Sequence, residues 1–318
     1  MSRAIPSSPP IATLPRLRKR RWFQYSLRTL LLLTAILAGL FGLLARWSYK
    51  ARQQRAAVAA ISAAACRVQY DFEVSQLNAP PHWPQWVVDA IGIDYVANVE
   101  TVFFEGSQVT DADLEKLNAL TMKALVLLNT RITDTGLKHL NVLSLEEVLL
   151  INAGVTDAGL EHILALPKLK DLSVGNANIT DAGLQNIEAM EGLQTLALYN
   201  TKVTDTGVTY LQRLPHLRSL NLCGTQLTDA GLEHIKRLSA LQELYIASTQ
   251  VTDAGLTELK GVKSLRRLSL ERTSVSDAGL EHLKGLPALE WLSLRDTKVT
   301  RAGVERLQKA LPTCYVTH

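Results

Sequence analysis

Aliphatic residues recur along residues 100–318 with two different spacings inside one period. In the stretch "LRSLNLCGTQLTDAGLEHIKRLSA", Leu220 and Leu222 share one face at the spacing of a strand. After a polar turn, aliphatic residues recur every three positions from Leu232 to Leu238, which is the spacing of a helix. The pattern therefore predicts a unit made of a short strand, a turn, a short helix and a return loop.

A hexapeptide marks the turn of each unit. "VTDAGL" stands at 155–160 and again at 251–256, and seven related hexapeptides bring the total to nine. Their Thr or Ser positions advance by 23, 23 and then six times by 24 residues, and a fixed period in this range is the signature of a solenoid. We expect an α/β solenoid of about nine repeats with parallel strands on one surface and helices on the other. Helices need about 10 Å of lateral room and strands about 4.8 Å, so the strands should lie on the concave side.

Each position of the hexapeptide has a structural interpretation. The Thr can cap the helix by accepting from a backbone N–H, and the Asp suits the positive end of the helix dipole. Gly disfavours a helix by about 1 kcal/mol relative to Ala, so its recurrence indicates close approach of the neighbouring repeat. The Leu points into the core. An Asp that recurs in eight of the nine hexapeptides is interpreted as scaffold rather than as a catalytic residue.

The full frame, L-x-x-L-x-L-x-x-T-x-[VIL]-T-D-x-G-L-x-x-[LI], resembles the leucine-rich repeat of the ribonuclease-inhibitor-like class, which also occurs in F-box-associated receptors. The stretch "SLRTLLLLT" ahead of the repeats resembles the anchor of membrane-tethered leucine-rich-repeat proteins of planctomycete bacteria. The resemblance implies a protein whose non-leucine strand positions face the concave surface and are available for binding.

The amino-terminal region has the features of a membrane anchor. Residues 1–55 hold eleven Lys and Arg and no acidic residue, and seventeen uncharged residues separate Arg28 from Arg46. As a helix this run would measure roughly 25 Å, close to the thickness of a hydrocarbon core. The flanking aromatic residues suit the membrane interface: Trp22, Tyr25, Trp47 and Tyr49. A cleaved signal peptide is the alternative, and the basic residues that follow the run favour an uncleaved anchor.

Charge bias predicts the orientation, because seven basic residues precede the run and four follow it. The positive-inside rule then leaves the amino terminus in the cytoplasm and the repeats outside it. We expect a basic disordered cytoplasmic tail (1–21), a transmembrane anchor (22–48), a helical stalk with an amino-terminal cap (49–99) and the repeat domain (100–318). In the cap, "VQYDFEV" at 68–74 predicts a strand, and Val316 or Tyr315 should close the other end.

The sequence disfavours catalysis and several ligand classes. The chain after residue 55 holds 23 basic and 30 acidic residues, a balance that argues against nucleic acid. Three cysteines without a CxxC pair argue against a disulfide framework or a zinc site. One helix position holds four histidines in separate repeats, and such a column does not converge on a metal: His139, His162, His234 and His282. With no phosphate loop or nucleophile motif, we expect no enzyme activity, no cofactor and no small-molecule substrate.

Two groups of strand residues are candidates for binding a protein partner. The first is a contiguous apolar patch on the first three strands of the repeats, formed by Phe103, Val126, Leu128, Leu149 and Ile151. The second supplies the aromatic and arginine residues that are enriched at interfaces: Tyr199, Tyr245, Arg267, Trp291 and Arg295.

Each group has a structural alternative. The segment before the repeats could fold over the apolar patch, and the second group could be a solvated surface with a Glu271–Arg295 pair. Four asparagines at one frame position predict a ladder that bonds the loop backbone: Asn129, Asn152, Asn176 and Asn200. A structural envelope scaffold and an F-box-like receptor remain the alternative functions.

Overall fold

A computed structural model describes residues 27–62, 66–71, 73 and 84–318 of the chain. The chain divides into two compact units, Met1–Ser48 and Tyr49–His318. The expected tail at 1–21, with Trp22 and Tyr25, lies outside the described residues, as does the end of the strand predicted at 68–74.

The first helix, α1 (Leu27–Ile61), contains the apolar run. Its stretch from Leu31 to Ile61 is long and apolar enough to cross a membrane, judged by length and composition. From Leu31 to Trp47 every side chain is exposed, including those of Phe41 and Leu43. A continuous exposed apolar surface of this length is typical of a segment that contacts lipid.

The second unit is built around one sheet of eleven strands that lie side by side in chain order. β1 pairs antiparallel with β2, and each later strand pairs in parallel with the one before it. The strands are β1 (Cys66–Tyr70), β2 (Val99–Glu105), β3 (Ala124–Leu128), β4 (Glu147–Ile151), β5 (Asp171–Gly175), β6 (Thr195–Ala197), β7 (Ser219–Asn221), β8 (Glu243–Tyr245), β9 (Arg267–Ser269), β10 (Trp291–Ser293) and β11 (Tyr315–Thr317).

Helical structure follows the strand in each repeat, as an α-helix in all but the repeat after β5, which has two short 3₁₀ turns. The α-helices of this unit are α2 (Gln85–Ile91), α3 (Asp111–Glu115), α4 (Asp134–Leu137), α5 (Asp157–Leu164), α6 (Asp205–Leu211), α7 (Asp229–Ile235), α8 (Leu256–Leu259), α9 (Asp277–Leu283) and α10 (Arg301–Ala310). Shorter 3₁₀ turns lie at Ile93–Tyr95, Lys116–Ala119, Lys138–Val142, Asp181–Leu184 and Ile187–Ala189. The predicted order of strand, turn, helix and return loop is confirmed.

The leucines of the frame form the core between the sheet and the helices. Leu220, Leu244 and Leu268 occupy one register row on neighbouring strands, and each is completely buried. On the helix side Leu232 and Ile235 are equally buried. Because each unit buries its apolar side only against its neighbours, the stack is a solenoid, as the sequence period predicts.

The aspartates of the hexapeptide join neighbouring repeats. Asp134 accepts a hydrogen bond from the backbone N–H of Thr156 at 2.8 Å and another from its hydroxyl at 2.7 Å. The same pair of bonds joins each later hexapeptide to the one before it, through to Asp277 and Thr300. The Asp is thus a bridge between repeats in addition to a residue of the first helical turn.

The first and last hexapeptides depart from the pattern in the way that a bridge between neighbouring repeats predicts. Each motif Gly lies against the Asp of the preceding repeat, so a Cβ there would overlap that carboxylate, as at Gly231 and Asp205. In the first hexapeptide no such Asp precedes it, and Asp113 stands where the others have Gly. In the last one Arg301 replaces the Asp, and no further hexapeptide of this chain follows it. The close approach predicted from the glycines is confirmed.

A backbone position with positive φ follows each strand from β2 to β10. Asn129 has a φ of 55°, and Asn152, Asn176 and Asn200 each have a φ of 53°. The same frame position has positive φ in five further repeats, where it holds Gly106, Gly224, Ser248, Arg272 and Asp296. Asn tolerates this conformation better than most residues. The expected ladder to the loop backbone is wrong, because the amides bond each other, as from Asn152 Nδ2 to Asn129 Oδ1 at 2.6 Å.

Both ends of the core are closed by residues outside the repeats. At the start, Ala57 and Ile61 of α1 are buried in the core, and Gln54 Nε2 donates to the Ala97 carbonyl at 2.9 Å. At the other end, Val316 of β11 packs against the core, whereas Tyr315 stays 66% exposed. Of the two residues expected to close this end, Val316 is therefore the one that does so.

Candidate functional site

The sheet face is the side of the sheet that points away from the leucine core. Its residues form straight rows, because the strands pair without register shifts from β2 to β11. One row runs from Phe103 through Val126 to Leu149, and the next runs from Leu128 to Ile151. The structure thus brings the five predicted apolar residues together. Val126 is only 6% exposed, and the other four are half-buried.

Four of these five residues form the floor of a groove of about 790 Å³, here called the apolar groove: Phe103, Val126, Leu128 and Leu149. One wall comes from β1, through Cys66, Arg67 and Gln69. Of the described residues that precede the repeats, those of β1 lie alongside β2 in the sheet rather than across the floor. Residues 74–83 of the segment expected to cover the patch lie outside the described residues.

Arg67 is a wall residue that the sequence did not single out. Its guanidinium carbon lies 4.5 Å from the centroid of the Phe103 ring, which is the geometry of a cation–π contact. The antiparallel register of β1 sets this contact, because it places Arg67 directly opposite Phe103. The sequence showed the alternation of the cap strand but gave no information on its partner or its direction.

Tyr199 does not line the apolar groove, and its ring contacts β5, the strand next to β4 of the floor. Its ring lies against the Cα of Gly175, where any Cβ would overlap it. Gly175 is in register with Ile151 on the neighbouring strand. The Tyr199 ring therefore lies over the position that follows Ile151 in the apolar row. Burial raises the pKa of the Tyr199 phenol above its ordinary value, which keeps the hydroxyl protonated.

Two carboxylates stand in register beside the floor. Glu147 lines the apolar groove, and Asp171 lies opposite it on the next strand. Burial and the neighbouring charge of Asp171 raise the pKa of the Glu147 carboxyl above its ordinary value. Within the described part of the chain, neither side chain has a hydrogen bond or an ion pair. Glu105 is a second carboxylate in the lining of the groove.

The second group of candidates lies on β8 to β10. The rings of Tyr245 and Trp291 have centroids 6.4 Å apart and are tilted by 50°. Arg267 lies between them in the sheet and pairs with Glu243, with 3.6 Å between Nε and Oε1. Burial, followed by the charge of Glu243, raises the pKa of the Tyr245 hydroxyl. The structure therefore joins Tyr245, Arg267 and Trp291 into one cluster.

The cluster differs from the predicted group at two further residues, Arg295 and Tyr315. Arg295 lies beyond the end of β10 with an exposed side chain, and it has no ion pair among the described residues. The expected Glu271–Arg295 pair is absent there, because Glu271 accepts a hydrogen bond from the Ser293 hydroxyl. Tyr315 is in register with Trp291 and exposed, so it extends the aromatic surface. The sequence suggested Tyr315 only as a cap.

Reactive groups are sparse in the described part of the chain. No three His, Cys, Asp or Glu side chains of the described residues are grouped as metal ligands would be. Burial raises the pKa of the Cys66 and Cys314 thiols to about 11 each, and burial is also the largest cause of the raised pKa of Cys223. Thiols with raised pKa values are protonated at neutral pH and are poor nucleophiles.

The geometry defines a class of protein: a solenoid of 23- to 24-residue units, each with one parallel strand, one helical segment and leucines between them. The family model described as "Leucine Rich repeat" matches residues 165–187 and 213–236. The chain is a leucine-rich repeat protein. Proteins of this class are generally scaffolds that bind other proteins and are typically not catalytic.

Solved structures that resemble the chain include two bacterial proteins. Internalin C2 from Listeria monocytogenes is 28% identical over 66% of this chain and 84% of its own, with a TM-score of 0.46. A leucine-rich-repeat protein from Leptospira interrogans is 18% identical over 65% of this chain and 57% of its own, with a TM-score of 0.43. No curated protein sequence matches the chain.

Proposed function

We propose that the chain is a membrane-tethered, non-catalytic binding protein that recognises a partner protein through its sheet face. The observation that carries this proposal is the contrast between the scaffold and that face. Aliphatic core residues recur in every unit and the aspartate recurs in eight of the nine hexapeptides, whereas the sheet face has an apolar floor at one end and an aromatic cluster at the other. Tyr, Trp and Arg are the residue types that most often dominate binding energy at interfaces.

The tether and its orientation belong to the same proposal. The exposed apolar part of α1 supports a single membrane span. The excess of basic residues before the span, seven against four, supports a cytoplasmic amino terminus and repeats outside the cytoplasm. The proposal includes no nucleic acid, no cofactor and no small-molecule substrate.

Crosslinking in the native cell tests this function with the full-length chain. The wild type, Leu149→Asp, Trp291→Ala and the helix-side control Glu161→Ala carry the same tag at the carboxyl terminus. We expect one saturable crosslinked protein whose recovery falls at least tenfold with Leu149→Asp or Trp291→Ala and is unchanged with the control. Both changed residues are partly exposed on the sheet face, and Glu161 is exposed on α5.

Two other results would contradict the proposal. Diffuse retention on envelope material that none of the substitutions alters would indicate a structural scaffold instead. A reporter fused at His318 that is active only in the cytoplasm would reverse the orientation and favour an F-box-like receptor.

A further inference from the structure

The acidic residues of the sheet face differ in whether they have partners. Glu243 is held by Arg267 and by the Ser219 hydroxyl, which donates at 3.0 Å. Glu271 likewise accepts from Ser293. Glu147 and Asp171, at the apolar groove, have neither a hydrogen bond nor an ion pair in the described part of the chain. The described residues therefore supply no cation that pairs with the carboxylates of Glu147 and Asp171.

Among the described residues that line the apolar groove, the one cation is already engaged. Arg67 lies over the Phe103 ring, on the β1 side of the floor. The Glu147–Asp171 pair lies on the opposite side, two strands beyond Phe103. Like charges on adjacent strands disfavour each other, and after desolvation the charge of Asp171 is the second cause of the raised pKa of the Glu147 carboxyl. A cation supplied from outside would relieve the repulsion at this position.

The spacing between the floor and the acidic pair is that of an extended chain. Glu147 and Leu149 lie two residues apart on β4, so their side chains point to the same face about 6.6 Å apart. In an extended peptide, side chains at positions i and i+2 have the same direction and the same separation. A peptide with an apolar residue at one of these positions and Lys or Arg at the other would thus match both.

We propose that the apolar groove binds an extended segment of the partner protein in which a Lys or Arg stands two residues from an apolar side chain. The apolar side chain packs on Val126 and Leu149, and the basic group lies against Glu147 and Asp171. This inference rests on the proposed function and adds to it the chemistry of the partner. Contact between an apolar anchor and a desolvated floor supplies affinity, and the charge supplies selectivity.

A peptide selection on the full-length chain in lipid nanodiscs tests the inference. A phage library of random twelve-residue peptides is panned in parallel on the wild type, Leu149→Asp and the double variant Glu147→Lys/Asp171→Lys. A second double variant, Glu161→Lys/Glu233→Lys, makes the same change of charge at exposed positions on the helix side. Far-ultraviolet circular dichroism and urea unfolding establish that each variant is folded.

We expect wild-type clones to pair an apolar residue with Lys or Arg, and to bind Leu149→Asp at least tenfold more weakly. On Glu147→Lys/Asp171→Lys the basic preference should disappear or become acidic, whereas the helix-side control should select the wild-type consensus. If the charge-reversed variant unfolds, Glu147→Gln/Asp171→Asn is used, and the basic preference should be lost there too. Affinity of the selected peptides should fall with salt, because the charge contact is partly exposed.

Selected peptides without a basic preference, or with equal affinity for Leu149→Asp, would overturn the inference. So would failure to enrich any peptide on the wild type. These results are distinguishable from failure of the proposed function, which the crosslinking experiment reports separately. If Trp291→Ala abolishes crosslinking and Leu149→Asp does not, the partner binds the aromatic cluster. The proposed function would then hold, and only the assignment of the partner to the groove would be wrong.

Discussion

The carboxylate of Asp229 accepts two hydrogen bonds from Thr252, one from its backbone N–H and one from its hydroxyl, each at 2.7 Å. The two residues belong to consecutive repeats, and the contact is partly buried. Hydrogen bonds to a charged group are stronger than neutral ones, and a lost partner leaves the remaining donors unsatisfied. The pair is therefore a principal polar contact between these two units.

Asp229→Ala should lower the free energy of unfolding by about 2–3 kcal/mol, since it removes both bonds and leaves two donors unpaired. Arg301→Ala is the matched control, because Arg301 occupies the same frame position and has no following hexapeptide to bridge. Its exposed pair with Glu305 should contribute less than about 1 kcal/mol. Urea unfolding followed by circular dichroism measures both. Equal effects of the two substitutions would contradict the bridging role.

Gly255→Ala should destabilise the protein by about 1–3 kcal/mol although Ala favours helices over Gly. An added Cβ would overlap the Asp229 carboxylate and lie 2.9 Å from Leu232 Cδ1. Gly192→Ala is the control, because the nearest atom to its Cβ would be 3.9 Å away. The double variant Asp229→Ala/Gly255→Ala should lose less than the sum of the two single variants. Simple additivity would show that the two residues do not interact.

Ser248→Val should lower the unfolding free energy by at least about 1 kcal/mol, because a β-branched residue is strained at a φ of 55°. Ser248→Asn should leave it unchanged or raise it by about 0.5 kcal/mol, since Asn tolerates the left-handed region. Ser274→Val makes the same chemical change at an exposed residue without positive φ. Thermal unfolding of the three variants checks the order. A destabilised Asn variant would argue against the backbone explanation.

Stability should fall as the pH drops below about 4. The backbone N–H and the hydroxyl of Thr300 hold the pKa of the Asp277 carboxyl below its ordinary value. For Asp111, burial alone would raise the pKa, but hydrogen bonds from Thr135 and Thr133 outweigh it and lower the pKa. A pKa that is lowered by folding adds stability above the unfolded value, and this stability is lost as the pH falls through the folded value.

Unfolding of Asp277→Asn tests this dependence on pH. Its deficit relative to the wild type, measured in urea, should be largest at pH 5–7 and should shrink as the pH falls below about 4. A deficit that does not change between pH 7 and pH 2.5 would show that the charge of Asp277 is unimportant to the bridge.

The same substitution at two adjacent residues of β4 should have effects of very different size. Leu150 is 1% exposed and belongs to the core, so Leu150→Asp should cost more than about 4 kcal/mol or prevent folding. Leu149 is half-buried on the sheet face, so Leu149→Asp should cost much less. Urea unfolding and protein yield report the difference. Comparable losses would mean that Leu149 belongs to the scaffold rather than to a surface available for binding.

The sequence predicted the repeated frame well because the same physical requirement recurs in every unit. Leu220 and Leu232 have equivalents in each repeat, so their periodicity reveals strand and helix together. The left-handed position after each strand was less visible, since Asn200, Gly224 and Ser248 satisfy one backbone conformation with three residue types. Periodicity reveals a shared side-chain type, but it does not reveal a shared φ.

Contacts that occur only once could not be predicted in this way. The register of β1 places Arg67 over Phe103, and the Tyr199 ring lies against Gly175. Neither contact follows from a repeating pattern. The bridging role of the aspartates had a visible signal, namely that Asp113 and Arg301 break the hexapeptide at its first and last copies. The composition of the candidate surface was predictable, but its division into a groove and a separate cluster required coordinates.

Because the register is unbroken from β2 to β11, the number of repeats sets the distance between two sites on the sheet face. Each repeat advances it by one strand, about 4.8 Å, while every row keeps its direction. Adding or deleting one whole 24-residue unit between Tyr199 and Tyr245 would therefore change the distance between the aromatic cluster and the groove by one strand spacing. Both sites would stay intact. A partner that contacts both sites would detect this change in length, and a partner that contacts only one would not.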